Sequence, residues 1–364
     1  MNKNELHVIY GKNPLEMIQI LMDKIQLAAE LDPNMQIALK PNLVVAKPAR
    51  EGATTSPLIV EGLIRYLRDN GCRNISVIEG SWVGDSTVRA FKVCGYEELS
   101  RKYQVPLYDL KDDSYKTLSF GDLNLKICER ALNTDYLINI PVLKAHCQTQ
   151  FTCALKNLKG CIPDSEKRRF HALGLHKPIA YLAKLLRPDL NIIDALNGDL
   201  TFEEGGNPVE MDRIIAGQDI LLTDCYCASL IGYSKTDIDY LDIAEKLKIG
   251  NPHFEQANIF EYGTNHKSLG TYKPGTKAKK LMQYIDESEA CSACTGSLIH
   301  ALCRLEEERR LSKLTQRIKI GQGFKQKKLD GLGIGSCASG CSLSLTGCPP
   351  KALDILTFLK EKLN

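Results

Sequence analysis

A chain of 364 residues with 43% hydrophobic and 25% charged side chains can bury a full core and leaves little room for long disorder. Its net charge of +3, single tryptophan and scattered aromatics argue against a nucleic-acid partner. No run of roughly 20 apolar residues marks a membrane span, and MNKNELHVIYG lacks the apolar core of a signal peptide, so a cytoplasmic protein is expected.

Up to about residue 250, short apolar runs alternate with longer amphipathic segments. This is the pattern of an α/β domain whose largely parallel sheet is flanked by helices. Strands are predicted at LHVIY (6–10), MQIALK (35–40), NISVIEG (74–80), DYLINIP (135–141) and LNIIDAL (190–196). Helices are predicted over PLEMIQILMDKIQLAAEL and PLIVEGLIRYLRDNG, the second capped by Ser56 with Pro57 in its first turn. Ligands of such sheets bind beyond the carboxyl ends of the strands, which directs attention to the turns that follow them.

Within IIDALNGDLTFEEGG, Asp194, Asp199, Glu203 and Glu204 could hold a hard cation, but a solvated hairpin with a glycine turn is the simpler expectation. Cys225 and Cys227, in LLTDCYCASLIG, read as helix core. Residues 250–285 lose the alternation and read as a connector, so the expected domains are 1–285 and 286–364. GLGIG at 331–335 lacks the rest of a dinucleotide fingerprint.

Cysteines change the picture near the C-terminus. Six of the fourteen lie between Cys291 and Cys348, and in a reducing compartment clustered thiols are metal ligands or catalysts more often than bridges. Cys291 and Cys294 form a Cys-x-x-Cys pair that feeds a helix, while a glycine-rich loop carries Cys337, Cys341 and Cys348. Soft thiolates suit iron-sulfur or zinc; the Cys348-Pro349-Pro350 junction favours iron-sulfur. A 4Fe-4S cluster on Cys291, Cys294, Cys337 and Cys348 is expected, with Cys341 as alternative ligand and Cys303 as core. No flavin fingerprint is visible, although flavin sites often have none. From Arg304 to Asp330 the chain is locally basic, and Lys325, Lys327 and Lys328 are candidates for docking an acidic electron donor such as a ferredoxin or flavodoxin.

From Leu137 the chain reads LINIPVLKAHCQTQFTCALKNLKG, and it also carries LKPNLVVA (39–46), ATTSP (53–57) and EGGNP (204–208). This ordered set resembles the bacterial and archaeal family called domain of unknown function 362, whose iron-sulfur members share the closing Cys-x-x-Cys and Gly-Cys-Pro-Pro. The resemblance implies an oxidoreductase-like protein with an unassigned reaction. Lys40, Asn42, Lys144, His146, Lys156 and Asn157 fall at strand ends or on the helix start beyond them, an arrangement of three amines and two amides that suits a small carboxylate or phosphate. His146, with Lys144 beside it, is the candidate acid or base. A helix beginning near Thr152 is expected to aim its free amides at the same place, and neutralising Lys144 is expected to leave stability unchanged. One of Cys147, Cys153 and Cys161 could be a nucleophile, although buried spectator thiols are the simpler reading.

The leading expectation is thus an iron-sulfur oxidoreductase acting on a small anion. The alternatives are a lyase or isomerase with a three-thiol cluster as Lewis acid, and an electron carrier or scaffold without turnover.

Overall fold

Residues that are apolar without interruption suit strands covered on both faces, and these runs form the middle of one sheet. The computed structural model describes residues 1–263 and 280–363. In chain order its strands are β1 (Glu5–Tyr10), β2 (Ile37–Pro41), β3 (Ile75–Glu79), β4 (Leu107–Asp109), β5 (Tyr115–Phe120), β6 (Leu123–Cys128), β7 (Tyr136–Ile140), β8 (Lys144–His146), β9 (Gln150–Thr152), β10 (Leu190–Asp199), β11 (Pro208–Gly217) and β12 (Asn258–Tyr262). Eight of them form a sheet in the order β12-β1-β11-β10-β7-β2-β3-β4. Only the two pairings made by β11 are antiparallel. The fold is the expected α/β arrangement, with β2 and β7 buried along their whole length.

Helices Pro14–Lys24 and Pro57–Asp69 pack on each other and bury Ile18, Leu21, Ile59 and Leu63 in the same core as Leu39 and Ile138. Ser56 stands at the cap position of the second helix, yet its hydroxyl makes no capping bond. Instead its backbone N–H donates to Asp194 Oδ2 at 2.7 Å, and Leu196 N–H donates to the other oxygen at 3.0 Å. Burial pushes the Asp194 carboxyl up to about 6 against these two bonds. The expected solvated hairpin after Leu190 is the antiparallel β10–β11 pair, in which β10 is buried and only the tip around Gly206–Pro208 and the start of β11 are exposed. Asp199 is fully buried and accepts the N–H groups of Thr201, Phe202 and Asn207, so it shapes the loop.

The chain divides into two compact units, Met1–Lys167 with His176–Pro274 and Arg168–Leu175 with Gly275–Asn364. The start of the expected connector contains the edge strand β12, and its residues 264–279 lie outside the described residues. In the second unit β13 (Ile285–Glu287), β14 (Ile318–Ile320), β15 (Leu329–Ile334) and β16 (Cys341–Leu345) form a parallel sheet in sequence order. Helices Ser292–Glu307 and Ala352–Lys362 pack on each other. The expected glycine-rich loop is in part a strand, and GLGIG lies mostly within β15. Among the described residues no helix is long and apolar enough to cross a membrane.

At the ends of β2 and β3, the amine of Lys40 pairs with the Glu79 carboxylate, both side chains being buried. Burial raises the Glu79 carboxyl, while Lys40 and then Lys167 oppose the rise. Gly160 covers this pair so closely that a Cβ there would lie 2.6 Å from Lys40 Nζ and 2.7 Å from Glu79 Oε2. Gly160→Ala should therefore destabilise the fold by about 1–3 kcal/mol, the cost of overpacking a filled interior, seen as a lower urea midpoint at unchanged slope. An unchanged midpoint would show that the pair can move aside.

Candidate functional site

Beyond β7 the chain still runs beside β10: Val142 bridges Asp194, and Leu143 N–H donates to Asp194 O at 3.0 Å. It then turns back as the short hairpin β8–β9, pairing Lys144 with Thr152 and His146 with Gln150. Alternation in an extended strand puts Lys144 and His146 on one face, and Ala145 on the other. This turn lies at the carboxyl edge of the parallel strands, where the sequence places it.

Lys144 is 1% exposed. Its amine donates to Ala53 O at 2.6 Å and to Glu203 O at 2.9 Å, so it fastens two loops. Burial, and secondarily the charge of Lys156, pulls its pKa down to about 7. His146 Nδ1 accepts the N–H groups of Gln148 (3.0 Å) and Thr149 (3.2 Å). A neutral ring so held carries its proton on Nε2, which lies 3.7 Å from Glu203 Oε1. Cys147 donates its N–H to Glu203 Oε2 at 3.0 Å and its thiol to Oε1 at 2.9 Å. Lys156 is half-buried; burial lowers its pKa to about 8, with Glu203 and Cys147 opposing. Glu204, next in the chain, is pushed up to about 8 by burial and by the charge of Glu203. Among the described residues, His146, Cys147 and Glu203 form a group of potential metal ligands whose donor atoms all lie within 4.8 Å of one another.

Lys144, His146 and Lys156 therefore come together, whereas Lys40, Asn42 and Asn157 serve the interior. Lys40 is consumed by Glu79 and Pro41 O. Asn42 receives Val44 N–H on its side chain, its own N–H donates to the Thr55 hydroxyl, and its carbonyl accepts Thr55 N–H. Asn157 donates to Lys40 O and to Asn139 Oδ1, and Asn139 donates in turn to Asn191. The helix expected near Thr152 is a single turn, Ala154–Asn157, and its amides are not free: Asp224 accepts Ala154 N–H at 2.6 Å and Leu155 N–H at 3.0 Å. Cys153 and Cys161 are buried, as are Cys225 and Cys227 on helix Ile220–Leu230.

Glu203 and Asp224 are the residues that sequence reasoning undervalued. Glu203 lies 56 residues from Cys147 in a segment that reads as a polar turn. Asp224 had a usable signal, since a lone acid in an apolar helix must find buried donors.

In the second unit, Cys291 caps helix Ser292–Glu307 and Cys294 sits in its first turn. Gly335, at φ +90°, reverses the chain after β15 and leads into the short turn that bears Cys337. The Cys294 thiol is pushed up to about 12 by burial and then by Cys291, Cys348 and Cys337. Cys337 likewise feels Cys348. Cys341, buried on β16, is raised by burial against Lys319, with no thiol among its causes.

The two carbonyls held by Lys144 correct the expectation that its neutralisation is harmless. Lys144→Met should cost about 1–3 kcal/mol by leaving them unsatisfied. Folding lowers this lysine from 10.5 to about 7, so between those values the unfolded chain binds a proton that the folded chain lacks, and stability rises with pH. The deficit of Lys144→Met should accordingly grow from pH 7 toward 10.5 in denaturant titrations; a constant deficit would remove the assigned titration.

A thylakoid-associated protein of Synechocystis sp. is 27% identical over 237 residues, covering 60% of this chain and 70% of its own length. Among solved structures, the lactate racemase apoprotein of Thermoanaerobacterium thermosaccharolyticum is similar over 62% of this chain and 56% of its own, at 14% identity and a TM-score of 0.42. A structural-genomics protein of Thermotoga maritima is similar over 65% and 60%, at 14% identity and a TM-score of 0.39. The chain thus spans less than two thirds of those structures, and the likeness is loose. Residues 37–229 match the family described as a domain of unknown function, DUF362. That match runs from β2 into helix Ile220–Leu230 and covers more than half of the sequence, so the chain belongs to the DUF362 family.

Proposed function

We propose that the chain is a metal-using oxidoreductase: Lys144, His146 and Lys156 receive a small anionic substrate, and Cys291, Cys294, Cys337 and Cys348 hold one 4Fe-4S cluster. The observation that carries the reading is the enclosure of one carboxylate by two lysines, an imidazole and a thiol at the carboxyl edge of the sheet. Such a pocket prefers negative charge. The mutual influence of Cys291, Cys294, Cys337 and Cys348 supports the cluster, because soft thiols held near one another suit it.

Within this reading His146 presents an N–H to the substrate, and Lys144, whose amine exchanges its proton near neutrality, supplies or withdraws charge beside it. The cluster, when bound, supplies single electrons. An acidic electron donor fits the same reading: Lys325, Lys327 and Lys328 are exposed, and Lys325 acts on the Cys337 thiol. A second reading puts a single metal ion on His146, Cys147 and Glu203, whose spacing suits it. Against it, Nδ1 of His146 already accepts two amides, which leaves the proton on the nitrogen that would have to bind the ion.

Metal and sulfide analysis of anaerobically purified protein tests the proposal. Alanine at any of the four thiols should abolish bound iron and the visible chromophore, while Cys341→Ala should keep both. Colourless protein with one zinc would overturn the redox reading. One dispensable thiol among the four would favour the lyase or isomerase, and a metal lost on Cys147→Ser would favour the single-ion site.

A further inference from the structure

Glu203 stands where the site is prepared for a ligand. The residue is 2% exposed, and its two carboxylate oxygens are addressed separately: Oε2 by Cys147 N–H, Oε1 by the Cys147 thiol and, at 3.7 Å, by Nε2 of His146. All three donors come from the end of β8 and the residue after it, whereas the carboxylate arrives from the β10–β11 loop. Lys144 holds the backbone carbonyl of Glu203, and Asp199 holds the loop around it. The loop is thus held independently of the Glu203 carboxylate. Cys147, Lys156 and Glu204 are half-buried around it, so the carboxylate is not sealed beneath a deep core.

We propose that Glu203 is an internal stand-in for a small monocarboxylate, which displaces it and binds Cys147 N–H, the Cys147 thiol and His146 Nε2 with its own two oxygens. This rests on the reading of the pocket as the substrate site and narrows the substrate to a carboxylate. Planar, two-oxygen recognition is what the donors now perform. The two oxygens of a short acid would meet the donors that now meet those of Glu203, and the space vacated by the Glu203 methylenes would take the rest of it.

The reactive carbon of a haloacid lies one bond beyond the carboxylate that the Cys147 thiol would address, which makes haloacids a probe of this site. The full chain, purified anaerobically, is treated with bromoacetate or with neutral bromoacetamide, and the Cys147 peptide is followed by mass spectrometry. In the labelling step the Cys147 sulfur forms a bond to the methylene carbon, the carbon–bromine bond breaks, bromide leaves and the thiol proton passes to solvent. Ordinary thiols react faster with the neutral amide. At Cys147 the order should reverse, by about tenfold for one charge-assisted contact. Acetate should slow the bromoacetate reaction, Lys156→Met should abolish the preference, and Glu203→Gln should raise the bromoacetate rate by removing the competitor.

Faster labelling by bromoacetamide in the unsubstituted chain, or indifference to acetate, overturns the proposal without recourse to any variant. Protection of Cys147 by zinc ions but not by acetate also overturns it. Reversed labelling in protein that lacks iron and sulfide would uphold the carboxylate site while the cluster reading falls; iron and sulfide with ordinary labelling would do the opposite.

Discussion

Three lysine amines lie buried at the carboxyl edge of the large sheet, and the loops there are arranged to satisfy them. An amine out of water must find acceptors or lose its proton. Lys40 reaches Pro41 O and Glu79, Lys144 reaches Ala53 O and Glu203 O, and Lys167 reaches Gly80 O, Ser81 O and Asp164. Lys40 ties β2 to the end of β3, whereas Lys144 holds backbone that follows β2 and β10, and Lys167 holds backbone that follows β3. Loops that would otherwise be surface connections are fastened at the place where an α/β sheet binds its ligands.

This constraint explains why motif residues that look alike in sequence part company in space. Lys40 and Lys144 both come after apolar runs, but the neighbouring strand β3 offers Lys40 a carboxylate, whereas Lys144 meets only the carbonyls of two loops. Lys40 thereby becomes one half of a buried ion pair, whose rupture is costly but whose presence binds nothing else. Lys144 stays adjustable, with its pKa drawn down to about 7. The asparagines have a similar logic. Asn157, Asn139 and Asn191 hand hydrogen bonds from one to the next, linking the turn after β9 to β7 and β10, so an amide that suggests substrate recognition is consumed by the frame.

The strands β1, β2, β3, β7 and the start of β10 were legible because continuous apolar runs bounded by turns have few alternatives. β11 was not, since PVEMDRIIAG begins with polar residues and becomes apolar only where it enters the sheet. Lys144, His146 and Lys156 were legible as a group because they are close in sequence. Glu203 was not, because its partners lie across a long loop closure and its neighbours read as a solvated turn. The capping of Ala154–Asn157 by Asp224 had the same cause: helix amides look free until the side chain that takes them is brought in from another element. In the second unit, spacing suggested the thiol set with Cys337 ahead of Cys341; Cys337 lies on the short turn after Gly335 and Cys341 on β16.

The charges around Glu203 set a further condition on any ligand. Lys144 is drawn down to about 7 and Glu204 pushed up to about 8, so between those values both groups are mostly uncharged. The pocket then faces Glu203 with Lys156, itself drawn down to about 8, as its main nearby cation. A second negative charge brought into this pocket would raise the affinity of both lysines, and of Glu204, for protons. Anion entry is thus coupled to proton uptake, and by linkage a fall in pH through this range must strengthen it. The depressed amines are neither idle structural lysines nor fixed positive charges. Burial holds them near their titration points, where an anion bound as proposed would decide their state.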